Sequence, residues 1–171
     1  KINRELINQN PDLAKKYENF LLDVNNKEIL SNIFKENKPD IVYHASASKH
    51  VDLVENNLFY GSLNNIQSTY NVCECSVLVK ANKVIFISTD KAVEPINFLG
   101  ISKSVGEKII KIFGKLHKET NFSTVRFGNV VGSSGSLLDA IQHQLEISNV
   151  INVTDKNMTR YFMTISDAVN L

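Results

Sequence analysis

The strongest constraint on the fold is KVIFIST at 83–89, where apolar side chains do not alternate with polar ones. A strand of this kind is apolar on both faces, as in parallel sheets that helices cover on both sides. Two further short apolar runs occur at 40–46 and 123–130. Helical spacing of apolar residues fills the intervals, over about 56–81 and over 101–116. The sequence therefore predicts an α/β protein with a doubly wound parallel sheet.

Weaker patterns predict further elements around this sheet. They are a helix end at 1–7, a strand at 17–24, helices at 27–37 and 137–147, and short strands at 150–154 and 160–164. No internal repeat or linker interrupts the pattern, so one domain's worth of chain is expected.

Composition excludes several classes of function. Hydrophobic residues make up 43% and charged residues 22% of the 171 residues, as in ordinary globular domains. Lys and Arg total 19 against 18 for Asp and Glu, and a net charge of +1 gives no field that attracts nucleic acid or an anionic membrane. Cys73 and Cys75 have neither zinc nor disulfide spacing, which favours a reducing, cytoplasmic setting. We expect no metal, no nucleic acid and no membrane contact by this segment.

Small and hydroxylic residues follow each of the three predicted strands. The segments are ASASKH at 45–50, STDK at 88–91 and GNVVGSSGS at 128–136. In open parallel sheets, ligands bind at the carboxyl ends of the strands, so these three loops are expected to meet at one site. Small residues also permit tight turns, and for any one loop that interpretation stays open. Three such loops at one sheet edge favour a site for a flat or phosphorylated ligand.

Two further features are compatible with phosphate binding. The glycines and serines of GNVVGSSGS precede a predicted helix and could offer backbone amides and hydroxyls to an anion. Arg160 lies beside aromatic residues and could pair with a phosphate, although a lone Arg is often a surface charge. The sequence contains no G-x-G-x-x-G, the dinucleotide-binding fingerprint.

These motifs, in this order, resemble a known family. ASASKHVDLVENN, ISTDKAVEPINFLGISKSVGEK, VRFGNVVGSSGS and MTRYFMT are similar to the extended short-chain dehydrogenase/reductases, and among them to UDP-N-acetylglucosamine 4,6-dehydratases of polysaccharide biosynthesis. The resemblance implies a tightly bound NAD, a UDP-sugar substrate and a 4-keto-6-deoxy sugar product. Two alternatives stay open. One is a related 4-epimerase or inverting dehydratase; the other is a non-catalytic nucleotide-binding relative.

The resemblance also assigns binding residues. Cofactor contacts are implied for Asp23 and Val24 at the adenine, for Ala45, Ser46, Ala47, Lys49 and Asn65, and for Lys103 at the nicotinamide ribose. Contacts with the nucleotide sugar are implied for Asn129, Ser133, Ser134, Ser136 and Arg160.

Catalysis is assigned to the STDK segment, with Lys103 beside it. A 4,6-dehydratase oxidises sugar C4, eliminates water across C5 and C6, and reduces C6, so it needs an acid and a base. Asp90 and Lys91 can supply that pair, and Thr89 can hydrogen-bond the 4-hydroxyl. Without the resemblance, Asp90 could equally be a helix cap and Lys91 a solvated side chain.

Leu99 departs from the superfamily, which usually has Tyr there as the base. The long, membrane-anchored branch of the family also has a non-ionisable residue at this position. We therefore interpret Leu99 as a mark of that branch, in which the alcohol proton leaves through Thr89 to Asp90 or Lys91.

The resemblance further implies that 1–171 is one partial catalytic domain. The family's first βαβ unit, with its Gly-rich turn, precedes the matched residues, and a substrate-binding region begins at about 131–171. The parent is then expected to be a cytoplasmic homo-oligomer, anchored to the membrane by N-terminal helices. Residues 1–171 alone are expected to fold poorly and to bind NAD weakly.

Overall fold

Three parallel strands form the centre of the protein. The computed structural model describes residue 12 and residues 16–132, 137–148, 150–153 and 155–171. The strands are β1 (Ile41–His44), β2 (Lys83–Thr89) and β3 (Asn121–Phe127), in the order β1-β2-β3. Their register is uninterrupted, and it pairs Ser88 with Arg126 across β2 and β3. The predicted α/β fold with a parallel sheet is therefore confirmed.

Helices connect these strands and continue beyond them. They are α1 (Lys27–Asn37), α2 (Val51–Glu55), α3 (Leu58–Ser62), α4 (Ser68–Leu78), α5 (Phe98–Leu116), α6 (Leu137–Ser148) and α7 (Ile165–Val169). A π-helical turn, Leu63–Gln67, joins α3 to α4, and a 3-10 turn, Asp90–Ala92, follows β2. A two-stranded parallel pair, β4 (Asn129–Val130) and β5 (Phe162–Met163), lies beyond β3.

One face of β2 packs against α4 and α5. Val84 and Phe86 are fully buried there, with Cys73, Ile110 and Phe113 around them. Each large apolar side chain buried in this way stabilises the fold by about 1.5–3 kcal/mol. Gly106 allows the close approach of helix and strand, because a Cβ there would lie 2.7 Å from the Phe86 ring.

A second apolar cluster fixes α1 against α4. Its buried members are Leu30, Phe34, Val72 and Cys75, and Leu22 and Val24 pack against it. The side chain of Asn26 caps α1 by accepting from the amide of Ile29 at 3.2 Å. Residues 22–26 are thereby held against the helices.

The opposite face of β2 is open along part of its length. Ile85 and Ile87 face a groove of about 950 Å³ that Ile165 and Val169 of α7 also line. At its far side, Tyr43 of β1 is 69% exposed. Both faces of the central strand are apolar, as its sequence predicts.

Several predicted elements differ from the structure. The strand predicted at 17–24 is wrong, because Leu22 and Val24 pack on the α1–α4 cluster and no described strand lies beside the segment. The strand predicted at 150–154 is also wrong over its described residues, 150–153, which form no strand. The helix predicted over 56–81 is interrupted by the π-helical turn, and the 160–164 strand is reduced to Phe162–Met163. The helix end predicted at 1–7 lies outside the described residues.

Candidate active site

The loops that follow β1, β2 and β3 enclose a cavity of about 390 Å³ at the carboxyl edge of the sheet. Eight predicted site residues or their neighbours line it: Ala45, Ala47, Lys49, Thr89, Lys91, Leu99, Lys103 and Asn129. Side chains from 45 to 129 thus converge on one space, where parallel sheets place their ligands. Its size is that of a site for part of a dinucleotide or a sugar.

Thr89, Asp90 and Lys91 form a hydrogen-bonded unit at the end of β2. The Thr89 hydroxyl donates to Asp90 Oδ1 at 2.9 Å, and Lys91 Nζ lies 3.1 Å from the same oxygen. Burial raises the pKa of the Asp90 carboxyl, but hydrogen bonds from Lys91 and Thr89 outweigh it and hold the pKa below its usual value. About a third of each side chain in the Asp90–Lys91 pair remains exposed, at 31% and 32%. Lys91 lines the cavity, and Asp90 is connected to it through Lys91 and Thr89.

The N-terminus of α5 is pressed against this unit. Asn97 caps the helix, its Oδ1 accepting from the amide of Gly100 at 2.8 Å. A Cβ at Gly100 would lie 2.2 Å from the carbonyl oxygen of Lys91, so glycine alone permits this approach. The glycine therefore brings the first turn of α5 to the end of β2.

Lys103 enters the cavity from the second turn of α5. Its side chain is 5% exposed, and Nζ lies 4.1 Å from the centroid of the Phe86 ring. Burial lowers the pKa of Lys103 to about 8, while the nearby Glu107 carboxylate raises it. The ammonium is stabilised by the aromatic face and by a carboxylate one turn along the helix. Near neutral pH the Lys103 side chain is protonated, and it loses its proton as the pH rises through about 8.

Leu99 lies one helical turn before Lys103 and lines the same cavity. It is 6% exposed, so its side chain contributes an apolar wall and no titratable group. Its carbonyl oxygen accepts a hydrogen bond from Ser102 Oγ at 2.8 Å. Leu99, which stands where most of the superfamily has Tyr, therefore lies in the wall of the cavity.

Asn65 is buried in the π-helical turn and does not line the cavity. Its Oδ1 accepts from the amide of Ser48 at 2.7 Å, and its Nδ2 donates to Ser102 Oγ at 2.9 Å. It therefore ties the loop after β1 to α5, and its action on the cavity is one of positioning. Asn129 does line the cavity, and its Nδ2 is buried with no hydrogen-bond partner among the described residues.

Other predicted residues are not brought to the cavity. Asp23 lies in a turn, where its Oδ1 accepts from the amide of Asn25, and the Val24 carbonyl accepts from Asn71 Nδ2 at 3.1 Å. Ser46 is exposed and outside the described lining. Arg160 is exposed and donates from Nη1 to the carbonyl of Thr159 at 3.0 Å. Ser133, Ser134 and Ser136 lie outside the described residues.

Sequence reasoning missed one group of side chains. Ser88, Glu107 and Arg126 form a hydrogen-bonded cluster behind the cavity, and because its contacts join residues 19 positions apart, no local spacing indicates it. His44 lies at the end of β1 and its Nε2 is 3.0 Å from Thr69 Oγ1. Since the Thr69 hydroxyl donates to the Asn65 carbonyl, the imidazole Nε2 is the donor to Thr69.

Burial and the Lys103 charge lower the pKa of His44 to about 4. The imidazole is therefore neutral at the pH of the cell. In the part of the chain that the structure describes, no three His, Cys, Asp or Glu side chains are grouped as metal ligands. Nor is any described helix both long and apolar enough to cross a membrane.

Comparison with protein families gives one match. The model of a family described as "Polysaccharide biosynthesis protein" matches residues 1–171. The capsular polysaccharide biosynthesis protein CapD of Staphylococcus aureus is 42% identical over 166 residues, 94% of this chain and 28% of CapD. The UDP-glucose 4-epimerase of Rickettsia bellii is 35% identical over 154 residues, 89% of this chain and 45% of that protein.

A third relative is an inverting UDP-N-acetylglucosamine 4,6-dehydratase of Campylobacter jejuni. It is 35% identical over 153 residues, 88% of this chain and 45% of its own length. The chain therefore spans about a quarter to a half of the length of these curated relatives.

Solved structures agree with the sequence comparisons. Pen from Bacillus thuringiensis superimposes with a TM-score of 0.87 at 32% identity, over 99% of this chain and 51% of that one. DesIV of Streptomyces venezuelae, a dTDP-glucose 4,6-dehydratase crystallised with NAD and DAU, gives a TM-score of 0.76 at 16% identity, over 87% and 51%. At that identity the second match shows the fold alone. The predicted resemblance to extended short-chain dehydrogenase/reductases of polysaccharide biosynthesis is confirmed.

Proposed function

Because the chain belongs to the polysaccharide biosynthesis protein family, a family of nucleotide-sugar dehydratases and epimerases, we propose that it carries the catalytic residues of a UDP-N-acetylglucosamine 4,6-dehydratase. The observation that supports this most directly is that Thr89, Lys91 and Lys103 line one cavity, with Asp90 paired to Lys91 at 3.1 Å. Such a site supplies an acid, a base and a buried cation, the groups that removal of water from a 4-keto sugar requires.

The residues of the cavity fit NAD as the cofactor. Lys103 would hold the nicotinamide ribose, and small side chains at Ala45 and Ala47 leave room for a flat ring. The buried Nδ2 of Asn129, which lacks a partner among the described residues, is a donor that a ligand can satisfy. Bound there, NAD would supply the hydride acceptor for sugar C4 and the hydride donor for C6.

The chain's own residues move the protons. Thr89 orients the sugar 4-hydroxyl, because its own hydroxyl is already fixed by Asp90. Oxidation at C4 acidifies the C5 proton, so a base can remove it while an acid protonates the departing 6-hydroxyl. Asp90 and Lys91, hydrogen-bonded at 3.1 Å and both partly exposed, supply these two roles. Leu99 excludes water from the same space and takes no proton.

The product of the intact protein tests this proposal. After incubation with UDP-N-acetylglucosamine, NMR is expected to show a methyl group at C6 and a ketone at C4. The configuration at C5 then separates a retaining from an inverting dehydratase, and we expect retention. No turnover of any UDP-sugar, with NAD bound, would instead identify a non-catalytic nucleotide-binding relative.

A 4-epimerase is the second candidate, favoured by the 35% identity to the Rickettsia bellii epimerase over 89% of this chain. An epimerase oxidises and reduces C4 and retains the 6-hydroxyl. Detection of a C4 epimer with an intact 6-hydroxyl group would therefore replace the dehydratase with this activity.

For the whole protein we propose a homo-oligomer anchored to the inner face of the cytoplasmic membrane. The anchoring is supported by a relative from Methanocaldococcus jannaschii, 40% identical over 155 residues, which is described as an uncharacterized membrane protein. Recovery of the intact protein in the soluble fraction after cell lysis would contradict the anchoring.

A further inference from the structure

Glu107 joins three elements that meet behind the cavity. It lies on α5, one helical turn after Lys103. Its Oε1 accepts from Ser88 Oγ at 2.6 Å and from Arg126 Nε at 2.8 Å, and its Oε2 accepts from Arg126 Nη2 at 2.6 Å. Both carboxylate oxygens are thus engaged, in the bidentate geometry that gives strong, directional pairing with arginine.

The two partners of Glu107 lie on neighbouring strands, Ser88 on β2 and Arg126 on β3. Ser88 is 4% exposed, lines the cavity and immediately precedes Thr89. Arg126 lies opposite Ser88 in the β2–β3 register and is 49% exposed, whereas the Glu107 side chain is 15% exposed. The carboxylate therefore connects the end of β2 with the helix turn that carries Lys103, and the guanidinium closes the cluster on the solvent side.

The carboxylate is ionised. The hydrogen bond from Arg126 lowers the pKa of Glu107, burial opposes this effect, and the hydrogen bond from Ser88 adds to the lowering. The resulting negative charge acts on Lys103, whose pKa it raises against the opposing effect of burial. The other titratable groups around Lys103 are His44 at the end of β1, Lys49 in the loop after β1, and Asp90 and Lys91 after β2.

We propose that Glu107 is a positioning residue for this site, which fixes the Thr89–Lys91 segment relative to Lys103 and keeps the Lys103 ammonium charged. The effect on turnover rests on the proposed function. The effect on the Lys103 charge does not, because it follows from the helix spacing and the Arg126–Glu107–Ser88 hydrogen bonds.

Two substitutions separate this role from a purely structural one. Glu107→Gln removes the negative charge while keeping an oxygen for Ser88, so the pKa of Lys103 is expected to fall. Arg126→Gln removes the cation that neutralises Glu107, so the pKa of Lys103 is expected to rise. If Glu107 acted only by packing, both changes would loosen the cluster, admit water and raise the pKa of Lys103.

The measurement is carbon NMR of the intact protein labelled at lysine Cε, followed from pH 6 to pH 11. Lys103→Met identifies the resonance of Lys103, and Glu119→Gln, which removes an exposed carboxylate in the turn that follows α5, is the matched control. Shifts of opposite sign in Glu107→Gln and Arg126→Gln, with none in Glu119→Gln, support the proposal. Shifts of the same sign, or no shift in either variant, overturn it.

Circular dichroism checks that each variant is folded. If Glu107→Gln does not fold, Arg126→Lys takes its place, because it keeps the positive charge beside Glu107 but breaks the bidentate contact. An upward shift in Arg126→Gln with none in Arg126→Lys supports the proposal, and any other result overturns it.

Turnover provides the second readout. Glu107→Gln is expected to lower kcat by roughly 10–100-fold, the size of effect that a small displacement of reacting groups produces. Its pH–rate profile should move to lower pH on the alkaline side, in parallel with the NMR titration. Absence of dehydratase turnover in the wild-type protein would refute the proposed function and leave the NMR result standing, so the two failures are distinguishable.

Discussion

Lys91 and Lys103 line the same cavity in opposite surroundings. Lys91 follows the open end of a strand, is about a third exposed and pairs with Asp90 at 3.1 Å. Lys103 is 5% exposed, lies on a helix and faces the ring of Phe86. The first is a paired, hydrated cation and the second a desolvated one, although the two residues are identical in type.

This difference shows how one cavity can provide two functions with one kind of side chain. A pair such as Asp90–Lys91 can exchange protons with a substrate at little energetic cost, because solvent and partner stabilise each state. A buried ammonium such as Lys103 is rigidly placed and gives a fixed field, at the expense of folding stability.

The largest effect is expected at the exposed pair. In the intact protein, Asp90→Asn and Lys91→Ala should each lower kcat by roughly 10²–10⁴, the usual contribution of an acid or base. NAD occupancy should change little, because the cofactor is proposed to bind on the Lys103 side. Steady-state kinetics and the absorbance of released cofactor measure the two quantities.

Lys111→Ala, which removes an exposed lysine from α5, is the control for these variants. Turnover near that of the wild type in either Asp90→Asn or Lys91→Ala would remove the proton-transfer role from the pair.

The buried lysine should limit stability. Burial lowers the pKa of Lys103 from 10.5 to about 8, so charging it in the folded protein costs up to about 3 kcal/mol relative to the unfolded chain. Lys103→Met is therefore expected to raise the free energy of unfolding at pH 7 and to abolish turnover. The unfolded chain binds more protons than the folded one between pH 8 and 10.5, so the stability of the wild type rises over that range.

Urea unfolding at pH 7 and at pH 10 measures this difference. The advantage of Lys103→Met should be greatest below pH 8 and shrink as the pH approaches 10.5. A variant less stable than the wild type at pH 7 would show that the contact with Phe86 outweighs desolvation.

Whether the sequence predicts a feature of the site depends on how far apart in the chain the contacting residues lie. The apolar run 83–89 is a local pattern, and it predicts the central strand correctly. The helical spacing of apolar residues over 101–116 is local too, and it predicts most of α5, Phe98–Leu116. The Glu107–Arg126 pair and the Asn65–Ser48 bonds join residues far apart in the chain, so no local pattern reveals them.

The failed strand prediction at 17–24 has a related cause. Its alternation of apolar residues is real, but Leu22 and Val24 pack against helices rather than taking part in a hydrogen-bonded ladder. Burial alone does not determine a strand, since a strand also requires a neighbour for its backbone groups.

A third prediction concerns His44, the buried neighbour of Lys103. Its pKa is lowered from 6.5 to about 4, first by burial and then by the Lys103 charge. As the pH falls from 6.5 to 4, the unfolded chain takes up a proton that the folded protein does not. The free energy of unfolding should therefore drop by about 2 kcal/mol between pH 7 and pH 5 on account of this residue.

His44→Gln should remove that part of the acid sensitivity, because glutamine does not titrate and can still donate to Thr69. Urea unfolding at pH 7 and pH 5 measures it. An equal loss of stability in the variant and the wild type would mean that other groups cause the acid sensitivity.

The smallest effect is expected at Leu99, which separates the two lysines. The side chain is 6% exposed and meets the cavity with carbon atoms alone, so its expected contribution is volume and the exclusion of water. Leu99→Met nearly conserves that volume, and such exchanges usually cost less than about 1.5 kcal/mol. Turnover should stay within roughly threefold of the wild type, with unchanged NAD content.

Leu99→Tyr is the informative companion to Leu99→Met. It adds a phenol where most of the superfamily has one, and Lys103 lies one helical turn away to lower the phenol pKa. If the Thr89–Asp90–Lys91 unit already takes the alcohol proton, the added hydroxyl gives no gain in kcat and its bulk reduces substrate binding. A gain in kcat in Leu99→Tyr, combined with a large loss in Leu99→Met, would mean that the residue at position 99 contributes to turnover together with Lys91 and Lys103.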